Sequence, residues 1–197
     1  MGRWQPDARG RLAKAAFELY AEQGYEKTSG ADIAERAGMH ERSFFRLFGD
    51  KREVTFHGME EVSADLVAAI RDAPSELTAI QLAERAFEER CALMQRHPQH
   101  ARLRRDIISS STDLRERDLA KQAELAAAMA EAIRERGIPR IAARLAAECS
   151  LLVFRMSVDT WLDDADAGDL VGVFRDTAHV LNATICHRDH AAGDSEP

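Results

Sequence analysis

Residues 42 to 51 bring together side chains that donate hydrogen bonds of the kind that nucleic acids accept. Arg42 can fork onto the O6 and N7 atoms of guanine or onto a phosphate, and Ser43 can donate to either group. Arg46 and Lys51 are spaced to reach backbone oxygens of the same duplex. The same spacing is equally compatible with an ordinary helical hairpin whose charges are solvated. These residues therefore indicate a candidate DNA-binding surface and leave that alternative open.

Two short helices joined by a tight turn would position these side chains. Ser29 followed by Asp32 is a helix start signal, because the serine oxygen accepts backbone N–H groups that the first turn leaves free. Gly38 favours the end of that helix, since glycine readily adopts the left-handed conformation. A second helix begins near His40, and its apolar positions share one face: Phe44, Leu47 and Phe48. This arrangement is typical of a helix-turn-helix, whose second helix lies in the major groove.

Three runs of sequence, RLA…AFELYAEQGY at 11–25, TS…DIA…AGM at 28–39 and SFFRLF…K at 43–51, agree in order and spacing with one known family. They resemble the TetR family of one-component repressors. The resemblance implies that Thr28 binds a phosphate at the start of the second helix and that Lys51 clamps the backbone beyond the recognition helix. The full set of DNA contacts that we expect is Thr28, Ser29, His40, Glu41, Arg42, Ser43, Phe45, Arg46, Leu47 and Lys51.

Three residues depart from the family's pattern. His40 stands where Ser or Thr is usual, so the recognition helix would be capped differently. Phe45 stands where Tyr is usual; it lacks the phosphate-binding hydroxyl and offers apolar contact, for example to a thymine methyl. Leu47 replaces a usual His or Tyr and removes another polar contact. These losses leave open an alternative, a helical protein-interaction adaptor with a degenerate helix-turn-helix.

Helical periodicity continues along the rest of the chain, and no stretch alternates as a strand does. The sequence predicts an all-α fold of about nine helices, the fourth of which runs unbroken to about residue 72. We expect three segments: an N-terminal three-helix helix-turn-helix domain over residues 1–51, a helical ligand-binding and dimerisation domain over 52–186, and a flexible tail over 187–197.

The net charge of −7 is distributed unevenly. Residues 1–52 hold ten Lys and Arg against eight Asp and Glu, a balance of +2, and the remainder carries −9. We therefore expect modest non-specific DNA affinity and dependence on specific contacts and dimerisation. Neither a membrane-length apolar run nor a signal-peptide core is present, so we expect a cytoplasmic protein.

No enzymatic or metal site is predicted. Cys91, Cys149 and the seven histidines lack the sequence context of a catalytic nucleophile, and there is no glycine-rich phosphate loop. Cys186, His187 and His190 offer a metal poor geometry at the end of the chain. We expect no catalytic residue, no metal and no cofactor.

The last two helices carry more apolar residues than one internal face needs. The resemblance favours a homodimer in which these helices of both subunits form a four-helix bundle, with a purely internal core as the alternative. The predicted interface residues are Leu151, Val158, Val173, Val180 and Leu181.

His97-Pro98 before the Arg102–Arg105 cluster, LRER at 114–117 and VDTWL at 158–162 carry a second, looser resemblance. They are similar to TetR-type regulators related to the mycofactocin-system repressor, which respond to acyl-CoA. The resemblance implies a pocket for a small apolar or acyl-type effector, although ordinary core packing accounts for its residues as well: Phe87, Cys91, Met94, Arg105, Ile108, Phe154 and Trp161. Together, the two resemblances imply a repressor that binds a near-palindromic double-stranded DNA operator as a homodimer and is released by its effector.

Overall fold

The structure is a computed structural model that describes residues 7–164 and 166–186, and the elements in these ranges are all α-helices. The predicted tail, residues 187–197, lies outside the described residues. The all-α prediction is confirmed. The helices in chain order are α1 (Ala8–Gln23), α2 (Gly30–Arg36), α3 (Glu41–Phe48), α4 (Lys51–Thr55), α5 (Met59–Arg71), α6 (Ala79–Met94), α7 (Pro98–Ser109), α8 (Thr112–Glu135), α9 (Arg140–Asp163) and α10 (Leu170–Cys186).

The described residues form ten helices and not nine, because the predicted fourth helix is broken in two. Helix α4 ends at Thr55 and α5 begins at Met59. Gly58 has a φ of 89°, which an α-helix cannot include. Phe56 lies in this break and is 4% exposed, so the bend places an aromatic ring in the core.

The described chain divides into two compact units. Unit 1 runs up to Ala64 and also includes Gln99–Glu124, and unit 2 consists of Asp65–Pro98 and the chain from Leu125 onward. This division differs from the predicted boundary at residue 51, because residues of α7 and α8 are buried in the same hydrophobic cluster as α1 to α3: Ile107, Ile108 and Leu114. The boundary at 51 remains a prediction about function.

The core of unit 1 is rich in aromatic rings. Phe44 is fully buried, and the rings of Tyr20 and Tyr25 meet edge to face with centroids 5.3 Å apart. Aromatic filling of this kind lets short helices bury enough apolar surface to pack stably. The buried aliphatic partners of this core include Leu12, Ile33 and Val54.

Ion pairs tie α4 to the start of α8 within unit 1. Arg52 Nη1 lies 2.9 Å from an Asp113 carboxylate oxygen, and Arg117 Nε donates to Glu53 Oε1 at 2.7 Å. These groups are partly exposed, so each pair contributes about 1 kcal/mol or less to stability. Their main consequence is positional, because they orient α4 directly after the recognition helix.

Unit 2 packs α6 against α9 and α10. The ring of Phe87 stacks on that of Phe154 at a centroid distance of 4.8 Å and lies 6.3 Å from that of Phe174. Arg136 closes the C-terminal end of α5, since its guanidinium donates to the backbone carbonyls of residues 70, 71, 73 and 74 at 2.8 to 2.9 Å. A helix end leaves such carbonyls without intrahelical partners, and one side chain satisfies four acceptors here.

Candidate nucleic-acid interface

Helix α2 begins with the predicted capping box. Ser29 Oγ accepts a hydrogen bond from the Asp32 backbone N–H at 3.1 Å, and Asp32 Oδ2 accepts one from the Ser29 backbone N–H at 2.8 Å. The second bond, together with the Ser29 hydroxyl, lowers the pKa of Asp32. Two N–H groups that the helix cannot bond itself are thereby satisfied, which fixes where α2 starts.

A four-residue turn connects α2 to α3. The turn contains Gly38 with a φ of 67°, and the Met39 backbone N–H donates to Ala34 O at 2.8 Å. His40 is the N-cap of α3, and its side chain makes no capping hydrogen bond. The geometry is that of the predicted helix-turn-helix, with the recognition helix held by packing and not by its cap.

The inner face of α3 anchors the helix to unit 1. Phe44 is fully buried, and Phe48 and Leu47 are half-buried against the same hydrophobic cluster. Leu47 was expected to contact DNA, and its position in this packed face removes it from the contacts that we propose. The outer face carries Glu41, Arg42, Phe45 and Arg46, which are all exposed.

The two arginines of the outer face are free to bind a ligand. Among the described residues, neither the Arg42 nor the Arg46 guanidinium has a hydrogen-bond or ion-pair partner. By contrast, Arg36 at the end of α2 forms a bidentate pair with the Glu22 carboxylate, at 2.9 and 2.7 Å. Arginine in this unit therefore has both a structural use and an outward, unpaired one.

Thr28 is placed differently from the expected phosphate contact. Its side chain is 1% exposed, and its hydroxyl donates to Gly24 O at 2.8 Å and accepts from Gln23 Nε2 at 3.2 Å. A hydroxyl has one proton to donate, and this one is used inside the loop between α1 and α2. In this structure Thr28 therefore shapes the loop and offers no donor to DNA.

Lys51 also has an internal role that the sequence did not reveal. Its ammonium donates to Tyr25 O at 3.0 Å and to Thr28 O at 3.3 Å, and it lies 4.2 Å from the centroid of the Tyr25 ring. The Tyr20 hydroxyl donates to the Lys51 carbonyl at 3.0 Å. Burial raises the pKa of Tyr25 to about 12, so its ring stays neutral beneath the cation. Lys51 thus links the loop before α2 to the start of α4. Only one N–H of its ammonium group is left for the predicted contact with the DNA backbone.

Gly30, the first residue of α2, allows a close approach that sequence reasoning missed. A Cβ atom built on Gly30 would lie 2.8 Å from Phe44 Cε1 and 3.2 Å from Phe45 Cζ. The first distance is well inside van der Waals contact between carbons. The only available signal was a glycine where a helix former is expected, directly after the capping serine.

The residues predicted to line an effector pocket fall in both units. Phe87, Cys91, Met94, Phe154 and Trp161 belong to unit 2, whereas Arg105 and Ile108 belong to unit 1. Phe87 and Cys91 are fully buried, and the other three of unit 2 are partly buried.

The Cys91 side chain is unsuited to nucleophilic chemistry. Burial raises the pKa of the Cys91 thiol to about 12, so it carries no thiolate at neutral pH.

The predicted interface residues also divide into two groups. Leu151 and Val173 are 6% and 9% exposed within one chain, so they pack in the subunit's own core and leave little surface for a partner. Val158 and Leu181 are partly buried, and Val180 is 65% exposed. An exposed apolar stripe on α9 repeats at helical spacing and was not among the predicted interface residues: Ile141, Leu145, Leu152 and Met156.

None of the described helices is both long enough and apolar enough to cross a membrane.

The sequence of the helix-turn-helix segment matches a known family. Residues 12–57 match the family model "Bacterial regulatory proteins, tetR family". The HTH-type transcriptional regulator TcmR of Streptomyces glaucescens is 35% identical over 79 residues, which cover 40% of this chain and 35% of TcmR. The chain therefore matches about a third of the length of this curated relative.

The fold is shared with solved regulators over nearly the whole chain. Thermus thermophilus FadR, a TetR family transcriptional repressor in complex with lauroyl-CoA, has a TM-score of 0.61 at 18% identity and covers 95% of this chain and 100% of its own. The SmeT–triclosan complex has a TM-score of 0.64 at 16% identity, and the match covers 87% of this chain and 90% of the SmeT chain. Similarity at this level of identity establishes the fold alone.

Residues 12–57 thus match the helix-turn-helix of the TetR family of bacterial transcriptional regulators, and the chain shares its fold with solved TetR-family regulators. The looser similarity to mycofactocin-type members is not confirmed by these comparisons.

Proposed function

We propose that the chain is a repressor that binds a near-palindromic DNA operator as a homodimer and is released by a small apolar or acyl-type effector. The recognition helix α3 of each subunit would enter one major groove, with the two half-sites a helical turn of DNA apart, roughly 34–36 Å. The exposed and unpaired guanidinium groups of Arg42 and Arg46 are the observation that carries the proposal. A cation without a partner in the protein can bind a phosphate or a guanine edge without first breaking an internal ion pair.

Titration of the purified chain against the DNA upstream of its own gene, at two salt concentrations, tests this function. We expect competitor-resistant binding whose affinity falls steeply with salt, because bound phosphates displace counterions. A randomised duplex pool serves as the second target. Binding to neither DNA would refute the repressor and favour the protein-interaction adaptor.

Substitution of the two arginines separates specific recognition from general charge. Arg42→Ala is expected to change base preference. Arg46→Ala is expected to weaken binding to all sequences and to lower by about one the slope of the logarithm of affinity against the logarithm of salt concentration. Arg96→Ala is the matched control, since Arg96 is exposed in unit 2 and its loss removes the same charge away from α3. Equal losses for all three variants would show that only net charge matters.

The apolar stripe of α9, extended by Val180 and Ile185 of α10, supports the homodimer. Its members are 46–76% exposed in the single chain, although large apolar side chains are normally covered. Two copies of the stripe related by a two-fold axis would bury each other in a four-helix bundle. Val180 remains in the proposed interface, and Leu151 and Val173 do not.

Leu152→Glu tests the interface, because it places a charge within the stripe at a position that is 46% exposed. We expect a monomer in sedimentation experiments and a large loss of operator affinity. Leu119→Glu is the matched control, since Leu119 is 57% exposed on α8 and outside the stripe. A Leu152→Glu variant that remains dimeric would refute this interface.

The aromatic cluster of unit 2 supports an apolar effector. Phe154 is partly buried and stacks on Phe87, and Trp161 on the same helix is also partly buried. Lauroyl-CoA and triclosan are the molecules in complex with the structurally similar FadR and SmeT. An effector can release DNA only to the extent that it binds the DNA-free form more tightly.

Fluorescence of Trp161 in a Trp4→Phe background provides the test for the effector. Lauroyl-CoA is expected to change the emission and weaken operator binding, whereas coenzyme A without the acyl chain should do neither. Phe154→Ala should reduce the response by removing the ring that stacks on Phe87. If lauroyl-CoA leaves both emission and DNA affinity unchanged, the acyl class is wrong and the DNA-binding function is unaffected.

A further inference from the structure

We infer that Phe45 is a specificity-determining residue that recognises the 5-methyl group of a thymine in the major groove, and that Gly30 makes room for its ring. This inference rests on the proposed DNA binding. It adds a base preference to a surface whose other contacts are polar.

Phe45 lies on the same face of α3 as the two unpaired arginines. It follows Arg42 by three residues, and Arg46 follows Arg42 by four, so the three side chains are neighbours on the helix surface. Phe45 is 47% exposed, and Arg42 and Arg46 beside it are exposed as well. When the arginines reach DNA, the ring must be at the same groove.

The ring is supported from beneath by the core of unit 1. It meets the fully buried ring of Phe44 at an interplanar angle of 82° with centroids 5.3 Å apart, a favoured edge-to-face geometry. Its tip lies over Gly30, where a Cβ would approach Phe45 Cζ to 3.2 Å. The absent side chain of Gly30 therefore sets how far the ring extends towards the first turn of α2.

The chemistry of the groove selects what such a ring can face. Each base edge in the major groove presents hydrogen-bond donors or acceptors, and thymine alone of the four unmodified bases adds an apolar group, its C5-methyl. A phenyl ring cannot replace the water lost from a polar edge, so it is unfavourable against that edge and favourable against the methyl. 5-Methylcytosine presents the same methyl group, and the experiment below distinguishes the two bases.

Deoxyuridine substitution tests the inference, because it removes the methyl and retains base pairing. The probe is the duplex that the wild-type chain selects from a randomised pool, with each thymine replaced in turn and the dissociation constant measured by fluorescence anisotropy at fixed salt. We expect one thymine in each half-site at which deoxyuridine weakens wild-type binding about fourfold, the effect of losing one buried methyl. At that position, Phe45→Ala should bind thymine and deoxyuridine equally, whereas the control Arg96→Ala in unit 2 should keep the fourfold ratio.

A second pair of duplexes separates thymine from 5-methylcytosine. Replacement of the sensitive T·A pair by C·G is expected to weaken wild-type binding, and methylation of that cytosine should recover part of the loss in the wild type and none of it in Phe45→Ala. Equal binding of the C·G and methylated C·G duplexes by the wild type would overturn recognition of the methyl itself.

Three further results would bear on the role of Phe45. Wild-type indifference to deoxyuridine at every position, or an unchanged ratio in Phe45→Ala, would overturn the role of Phe45 while leaving DNA binding in place. If circular dichroism shows that Phe45→Ala is unfolded, Phe45→Leu replaces it, and its deoxyuridine ratio should fall below that of the wild type. Failure of the wild type to select any duplex would overturn the proposed function and this inference together.

Discussion

Replacing Gly30 by alanine adds one methyl group between α2 and α3, and its effect can be calculated from the packing. The new Cβ would lie 2.8 Å and 2.9 Å from two carbons of the Phe44 ring, where about 3.5–4.0 Å is needed. Phe44 is fully buried and cannot turn aside, so the helices must separate by several tenths of an ångström. Overpacking of this kind costs about 1–3 kcal/mol.

The same substitution at Gly172 is the matched control. Gly172 lies in α10, and the nearest atom to its added Cβ is an Asp169 carboxylate oxygen at 3.5 Å, an ordinary contact. Alanine in a helix is favoured over glycine by about 0.5–1 kcal/mol, so Gly172→Ala is expected to stabilise the protein by that amount. Gly30→Ala gains a similar amount and loses the overpacking term. The two variants should therefore differ by about 1–3 kcal/mol.

Urea unfolding followed by circular dichroism measures the difference in unfolding free energy between the two variants, provided that the slope of this free energy with urea concentration is the same in both. Operator binding provides a second readout, since displacement of α3 should weaken Gly30→Ala and leave Gly172→Ala unaffected. Phe44→Leu, which shortens the obstructing ring, should reduce the cost of Gly30→Ala in a double-variant cycle. If the two alanine variants were equally stable and bound DNA equally well, the close approach at Gly30 would have no energetic consequence.

Three further predictions concern stability and reactivity. Arg136→Ala is expected to lower the free energy of unfolding by about 2 kcal/mol in urea titrations, because carbonyls at the end of α5 lose a charged donor, and Arg136→Lys should restore less than half of it. The lowered pKa of Asp32 means that folding favours its carboxylate, so this stabilisation is complete above its ordinary pKa of 3.8 and is lost as the pH falls through the lower folded value. Thermal midpoints between roughly pH 5 and pH 2 should fall less steeply for Asp32→Asn than for the wild type, and parallel curves would contradict the assignment. At neutral pH, iodoacetamide should modify the partly exposed Cys149 and spare Cys91 in the folded protein, as measured by peptide mass spectrometry, whereas equal labelling would contradict the burial of Cys91.

Local signals in the sequence were sufficient to predict the helices and the helix-turn-helix. The capping box of Ser29 and Asp32, the turn at Gly38 and the buried face of Phe44 depend on residues within one or two helical turns of one another. Such patterns survive any tertiary arrangement, because short-range hydrogen bonds and periodic burial determine them. The outward position of Arg42 followed directly from the same periodicity.

The periodicity of apolar residues does not predict the break between α4 and α5. The apolar residues from Val54 to Ile70 are compatible with one continuous helix, and the single Gly58 is tolerated in many helices. The break depends on the burial of Phe56 in the core of unit 1, where Arg104 of α7 lies 5.7 Å from its ring centroid. A contact across more than forty residues leaves no local signal in the sequence.

Local chemistry along the chain accounts for the helical fold, the helix-turn-helix and the residue types that could contact DNA. Packing between distant segments sets which of these residues are available. The Thr28 hydroxyl and two Lys51 donors form hydrogen bonds in the loop before α2. Leu151, which was predicted to lie at an interface, is buried in the core. A side chain's hydrogen-bonding capacity is a property of its type, whereas the partners that use this capacity are brought together by packing between distant parts of the chain.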